Sequence, residues 1–483
     1  MRPATNIFLS ALFALAGMSC AMGPDYSRPD IKTADQFRMS DSEGESIANL
    51  PWWKLLRDEE LQNLIRIALR ENKNLQKAAA SVEEFQAHAM IATMDFAPQL
   101  TVSSSGPAFG RQSNFSAPGF PNPFNYYIQG NLAWEIDLWG RIRRSNEAAR
   151  ADLLAQEENR RAVVLSLVSG VAQAYFDLLQ FDMQLDIAKR TLESWKESVA
   201  IARARLRQGI SSKLDADQFE SERANAAARV AQFERQMIQK ENELSVLLGR
   251  NSQTIPRGVS LTEQVMPPAV PPGLPSELLQ RRPDILQVEE QLAAATARIG
   301  MAKADRFPKI SITGLMGYAN PQFSQLVKGG GKANGQFAAA GPSLLGPVFN
   351  ASVLGFQQDA VEAQAKQVLA DYEQTILVAF KEVEDALVAV RTADSQRNAQ
   401  QEQVTALRSA LRLANLRYKG GLTSYVDVLI AKRDLFVSEL ELTSTHRLHL
   451  VSMVQLYKAL GGGWSPESPE ETIAISSSSK PTP

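Results

Sequence analysis

Of the 483 residues one is cysteine and three are histidine, so a disulfide within the chain is excluded and soft metal ligands are almost absent. His446 and His449 stand three apart, yet no carboxylate motif or further ligand goes with them, and His88 lies elsewhere. Neither a metal centre nor a metallohydrolase is expected, and no enzyme or cofactor is. Net charge is only −2 with 22% charged residues, which argues against nucleic acid as a partner. No run of 18 apolar residues follows the amino-terminal segment, so transmembrane helices are not expected and a membrane crossing must use β-strands. Gly329-Gly-Gly-Lys332 lacks the earlier glycine of a phosphate loop and reads as a flexible connection between strands.

Helix breakers are missing as well. No proline lies between Arg141 and Ile255, and Gly170 is the only glycine from Val164 to Leu206. That gap is filled by a heptad pattern. One row is Val164, Val171, Leu178, Leu185, Leu192, Val199, Leu206; the other is Leu167, Ala174, Phe181, Ala188, Trp195, Ala202. Apolar residues spaced alternately by three and four make a coiled-coil seam, and one helix from about Asn146 to Arg207 would be on the order of 100 Å long.

The pattern returns. Leu369, Ile376, Val383, Val390, Val404, Leu411 and Tyr418 form one row; Tyr372, Ala379, Ala386, Ala393, Leu407 and Ala414 form the other, and both lapse at Arg397 and Gln400. This polar layer reads as a register device or a wetted spot. Gly209-Ile-Ser-Ser-Lys-Leu-Asp215 matches Gly421-Leu-Thr-Ser-Tyr-Val-Asp427 at an offset of 212, and Leu248-Gly249 matches Leu460-Gly461 at that same offset. The chain is therefore a tandem duplication of a helical hairpin.

In order, residues 1–20 read as a secretory signal whose end at Cys20, the sole cysteine, suggests lipid attachment, although Gly17-Met18-Ser19 precede it. Residues 21–50 are an extended lead. A first repeat spans 51–254, a proline-rich linker 255–275, a second repeat 276–464 and a low-complexity tail 465–483. Each repeat carries helices, then two strands, then its hairpin. Short helices are expected at about Glu59–Leu69 and Asn74–Asp95, the latter stopped by Pro98. The segment after Arg282-Pro-Asp284 runs as a helix to Pro308. Strands are expected at Leu100–Ser104, about Ile128–Leu138, Ile310–Tyr318 and about Gln336–Phe349; Ile128, Leu132, Trp134 and Ile136 make an apolar face opposite Gln129, Asn131 and Glu135. Four strands cannot close a barrel, so a membrane reading requires the chain to oligomerise, with Trp134 and Trp139 as candidate anchors at the lipid interface; the other reading of the strands is a soluble four-stranded sheet packed on helices.

From residue 23 to 464 the sequence resembles the outer membrane efflux proteins, the TolC-like channels, and in particular their OprM-like lipoprotein branch. The resemblance rests on Gly23-Pro-Asp-Tyr-Ser-Arg-Pro29, Trp52-Trp53, the Phe96-Ala-Pro98 junction, Trp134-Glu-Ile-Asp-Leu-Trp-Gly140, Arg281-Arg-Pro-Asp284, Arg306-Phe-Pro308 and Arg417-Tyr-Lys-Gly-Gly421. It implies a mainly α fold with a membrane β-barrel. A homotrimer would make a twelve-stranded barrel in outer membrane lipid, continued by an α-barrel of coiled-coil helices in the periplasm. Implied partners are a periplasmic adaptor and an inner membrane pump of RND type; a duct for type I protein secretion is the alternative.

The resemblance also places a gate at the hairpin tips. Asp215 stands at the position of a hydrogen-bonded gate carboxylate, Tyr418 at that of a phenol donor, and Asp427 at that of a pore-lining aspartate. Thr423 replaces a gate arginine, and Ile430 a second ring aspartate. The other reading makes Asp215 and Asp427 helix-start carboxylates and Tyr418 a seam residue. Gly209, Ile210, Ser211 and Ser212, with Gly421, Leu422, Thr423 and Ser424, are the tip residues expected to meet the adaptor.

Overall fold

The computed structural model describes residues 21–31, 36–37, 57–105, 126–265, 275–320, 336–347, 351–420, 422 and 425–462. Cys20, Trp52, Trp53, Gly421, Thr423, Ser424, the Gly329–Lys332 loop and the tail lie outside these. Twelve elements follow in two runs. The first is α1 (Glu59–Glu71), α2 (Lys73–Met94), β1 (Gln99–Ser105), β2 (Tyr126–Ile136), α3 (Arg141–Arg207) and α4 (Lys213–Leu247). The second is α5 (Pro275–Arg281), α6 (Pro283–Ala304), β3 (Lys309–Asn320), β4 (Gln336–Leu345), α7 (Ala351–Lys419) and α8 (Tyr425–Ala459). The expected elements are present, and α5, which opens on Pro275 at its first position, is an addition. Helices α2 and α6 both have 22 residues, α4 and α8 both 35, whereas α7 has 69 against 67 for α3.

Two compact units cut across both repeats. The first comprises Met1–Asp30, Ser81–Glu157 and Gln287–Glu373. It contains a four-stranded sheet of order β1-β2-β3-β4, antiparallel throughout. The register aligns Leu100 with Leu132, Ile128 with Tyr318, Gly130 with Met316, Trp134 with Ile312 and Ile310 with Leu344. One face is thus apolar across all four strands, and Leu100, Val102, Met316 and Leu344 on it are exposed. The opposite face carries Thr101, Ser103, Gln129, Asn131, Ser311 and Thr313; Asn131 donates to Ser103 Oγ at 3.1 Å. Aromatic residues gather at the end where β2 leaves the sheet. Trp134 Nε1 donates to the Phe96 carbonyl at 3.0 Å, Trp139 Nε1 donates to that of Pro308 at 2.9 Å, and Trp139 stacks on Phe307.

The lead is strapped to the same unit. Met22 N donates to the Trp139 carbonyl at 3.0 Å, and Gly140, at φ +79°, brings its Cα hydrogen against Ala21. Buried Arg144 reaches the Met22 carbonyl, Asp25 and Glu147 at 3.1, 2.6 and 2.7 Å. Arg28 grips Glu289 with two bonds of 2.6 Å, so the segment after Cys20 is fixed by paired charges rather than by a core.

The second unit comprises Ile31–Ala80, Glu158–Leu286 and Gln374–Pro483. Its core joins Leu61, Leu64 and Ile65 of α1 to Val171, Tyr175 and Leu178 of α3, Leu244 of α4, Val383 of α7 and Val454 and Tyr457 of α8. The seam rows lie in the interior here, as their spacing requires. One 18-residue window of α3 does have the length and composition of a membrane span, which counting contiguous apolar residues missed; it is 61% buried, as a core helix would be.

The duplication is visible in the hydrogen bonds. Asn72 Nδ2, at the end of α1, donates to the Leu247 carbonyl at 2.8 Å. At the end of α5, Arg282 donates to the Ala459 carbonyl at 3.0 Å. Each thereby satisfies a carbonyl at the end of its repeat's last helix, which has no partner within the helix. Gly249 and Gly461, both at φ +73°, close α4 and α8 in the same way: Arg250 N donates to the Ser245 carbonyl, Gly462 N to that of Tyr457. The polar layer is the point of divergence. Leu185 and Ala188 pack on Phe233, whereas Arg397 donates to Asp394 at 2.7 Å and lies 3.4 Å from His449 Nδ1. The arginine is thus engaged by protein groups. Burial and the Arg397 charge hold the His446 and His449 imidazoles below their usual pKa.

Candidate gate and docking site at the hairpin tips

Helix α3 ends because Gly209 takes φ +73°, a conformation costly for any residue with a Cβ. The Gly209 and Ile210 N–H groups donate to the carbonyls of Leu206 and Arg205 at 3.0 and 2.9 Å, a double closure of the last turn. In the other hairpin Leu422 N donates to the Arg417 carbonyl at 2.9 Å, the same bond one repeat later. Helix α4 then starts with a capping box. Ser212 Oγ accepts from Asp215 N at 3.1 Å, and the Asp215 carboxylate accepts from Ser212 N at 3.2 Å. Asp215 is therefore a helix cap within its own chain, and no hydrogen bond joins it to Tyr418 among the described residues. Asp427 occupies the first turn of α8, again at a helix start.

Ile210 is 68% exposed and Leu422 80%, and Leu214 and Val426 beside them are exposed too. Ser212 is exposed; Ser211 turns its hydroxyl inward, where the Oγ meets no hydrogen-bond partner among the described residues.

Behind the tips the hairpins meet through aromatic rings. Trp195 of α3, Phe219 of α4 and Tyr425 of α8 are buried together, with ring centroids 5.9 Å apart for Trp195–Phe219 and 3.8 Å for Phe219–Tyr425. Tyr418 packs on the edge of this cluster, 6.2 Å from Tyr425, and the Arg205 guanidinium lies 4.4 Å above its ring. The Tyr425 hydroxyl is buried without a hydrogen-bond partner among the described residues; burial first, and the carboxylates of Asp215 and Glu222 next, push its pKa up. The heptad pattern places Trp195 in the seam but marks none of Arg205, Phe219 and Tyr425. Phe219 and Tyr425 follow the turns, where no long heptad row marks them.

Against known proteins, the family model described as outer membrane efflux protein matches residues 64–250 and 274–462. The solvent efflux pump outer membrane protein SrpC of Pseudomonas putida is 37% identical over 464 residues, covering 94% of this chain and 97% of that one. The cation efflux system protein CusC of Escherichia coli K12 is 33% identical over 454 residues, covering 93% and 98%. Among solved structures, the outer-membrane channel OprN superposes with a TM-score of 0.82 at 29% identity, covering 92% of this chain and all of that one. The open-state MtrE channel of Neisseria gonorrhoeae gives 0.78 at 31% identity, covering 92% and 98%. With both repeats matched and nearly the full length of each relative covered, the chain belongs to the outer membrane efflux protein family.

Proposed function

We propose that three copies of this chain form the outer membrane channel of a tripartite efflux system. It would pass solutes from an inner membrane pump of RND type, through a periplasmic adaptor, to the outside. The observation that carries the reading is the sheet. Its apolar face spans four strands, and β1 and β4 each pair on one side only among the described residues. Strands β1 and β3 run one way and β2 and β4 the other, so β4 of one copy can pair antiparallel with β1 of the next and leave no edge in lipid. The 11 residues of β2 span about 37 Å, and a tilt of about 45° sets them about 26 Å high, the height of an outer membrane apolar band. Three copies give twelve strands, well above the roughly eight that a closed barrel needs.

The exposed apolar tips, Ile210 and Leu422, support docking of the adaptor there. The proposed contact set also takes in Gly209, Ser211 and Ser212, with Gly421, Thr423 and Ser424, the last three of which lie outside the described residues. In this reading Tyr418, Asp215, Asp427 and Thr423 close the entrance between neighbouring coils. Asp215 lends its second carboxylate oxygen to Tyr418 of an adjacent copy while the first caps α4. Cys20 carries the lipid anchor: Ala21 and Met22, bound at Trp139 and Gly140, hold the chain beside the aromatic end of the sheet.

Light scattering of the detergent-extracted protein, corrected for micelle mass, tests the assembly. A trimer is expected, and a folded monomer would overturn the channel reading. Replacing Tyr418→Phe together with Asp215→Ala should raise single-channel conductance in planar bilayers. A trimeric double variant that conducts like the parent would reduce these residues to seam and cap.

A further inference from the structure

Beside the aromatic cluster behind the tips, Lys432 lies between the two hairpins with no ion-pair partner among the described residues. Lys432, two turns into α8, extends its Nζ onto α3, where it donates to the Ser194 carbonyl at 3.1 Å and to Ser198 Oγ at 2.6 Å. It also lies 4.9 Å from the centroid of the Trp195 ring. Among the described residues no carboxylate forms an ion pair with it. Other cations of this unit, such as Arg257, Arg282 and Lys240, each hold two carboxylates. Burial pushes the Lys432 ammonium down from 10.5 to about 8, with only Glu197 opposing.

A carbonyl, a hydroxyl and an indole face return part of what the ammonium loses on leaving water, but none supplies a full opposite charge. Lys432 belongs to the second hairpin, while Ser194 and Ser198, to which it donates, and Trp195, whose ring it faces, belong to the first. Parting the hairpins therefore returns the ammonium to water, while the apolar contacts of Trp195, Phe219 and Tyr425 resist that parting. The two effects have opposite signs. We propose that Lys432 is a positioning residue of the entrance, a cation held between the two hairpins that keeps the closed packing close to balance so that a docked partner can open it. This rests on the channel reading above and deepens it.

The test uses the full-length trimer in planar bilayers, at a potential where the parent is open for part of the time. Lys432→Met and Lys432→Gln should each lower the open fraction by about tenfold. This falls short of the whole pKa shift because the site is only half-buried and the acceptors give some of it back. Lys432→Arg, which keeps the charge, should stay within about twofold of the parent, a change of only ~0.4 kcal/mol. Thermal stability of the trimer should be unchanged or raised in the two neutral variants, so stability and opening move apart, which a merely structural lysine would not produce. The glutamine variant keeps the site polar should the methionine variant fail to assemble. An open fraction equal to the parent's in the neutral variants, or above it, overturns the proposal, the latter by making the lysine a clamp. The Tyr418→Phe, Asp215→Ala double variant judges the gate separately: if it conducts like the parent while Lys432→Met still closes the pore, the gate assignment fails and the lysine proposal stands.

Discussion

Three glycines at one backbone angle offer a test of the fold in which strain cancels. Gly209, Gly249 and Gly461 all stand at φ +73°, so alanine at each meets the same left-handed penalty of about 1–2 kcal/mol. Part of it, about 0.4–1 kcal/mol, is offset by the stiffer unfolded chain. Their surroundings differ. A Cβ on Gly209 meets nothing within 4 Å; on Gly461 it comes 3.1 Å from the Arg281 carbonyl oxygen; on Gly249 it falls 2.2 Å from the Glu71 oxygen and 2.7 Å from its carbon. Gly209→Ala should therefore cost only about 1 kcal/mol. Gly461→Ala should cost somewhat more, because a shift of a few tenths of an ångström relieves it. Gly249→Ala must push the α1–α2 turn away from α4, at about 1–3 kcal/mol for overpacking and about 1 kcal/mol for the strained Asn72 bond to Leu247, a total of about 3–5 kcal/mol with the strain. Urea unfolding of the detergent-solubilised variants, followed by tryptophan emission, should rank the midpoints 209, 461, 249. Equal losses at 209 and 249 would refute the close approach of the turn and with it the account of how the repeat ends are locked.

Arg282→Met should cost about 2–3 kcal/mol in the same assay. It strips the donor from the buried Ala459 carbonyl and unpairs Glu382, while Asp284 and Glu382 are exposed enough to hydrate. The hydrogen bonds of Arg250 and then Arg70 hold the Glu71 carboxyl down from 4.5 to about 2. Its contribution to stability is therefore present above about pH 4.5 and lost as pH falls toward 2, so the midpoint difference between the parent and Glu71→Gln should shrink over that window and be flat from pH 5 to 7. Ile210→Asp and Leu422→Asp, at sites 68% and 80% exposed, should leave trimer stability within about 0.5 kcal/mol yet abolish adaptor-dependent resistance in a transport assay. Mass spectrometry of the mature amino terminus should find a diacylated or triacylated Cys20; an unmodified terminus at another residue would refute the anchor.

The long helices and strands were legible because each repeats one physical signal many times. The α3 seam runs for about six heptads, and a single aberrant residue such as Gly170 cannot mask that period. The β2 alternation was equally plain, and its pairing follows once the strands exist. What the sequence hid was contact between distant segments. Nothing local shows that Asn72 reaches Leu247 or that Arg282 does the same task for Ala459, because a neutral amide and a guanidinium share no motif. The same holds for Asp58, fully buried, which caps α1 and also accepts from Tyr175 and Val259. At the tips, the resemblance named a partner for Asp215 in a neighbouring coil, while Ser212 three residues earlier carried the local signal of a capping box.

The two repeats have kept their frame and changed their joints. Asn72 answers to Arg282, and the dry Leu185–Ala188 layer answers to Arg397 and Gln400. A channel of six identical hairpins, each its own polypeptide, could alter such a joint only by altering all six together, and an arginine that suits one position would be imposed on every other. Duplication within one chain removes that constraint. A single codon change reaches one hairpin of the chain and leaves the other as it was, so one repeat can be conserved as frame while the other is free to change its joints.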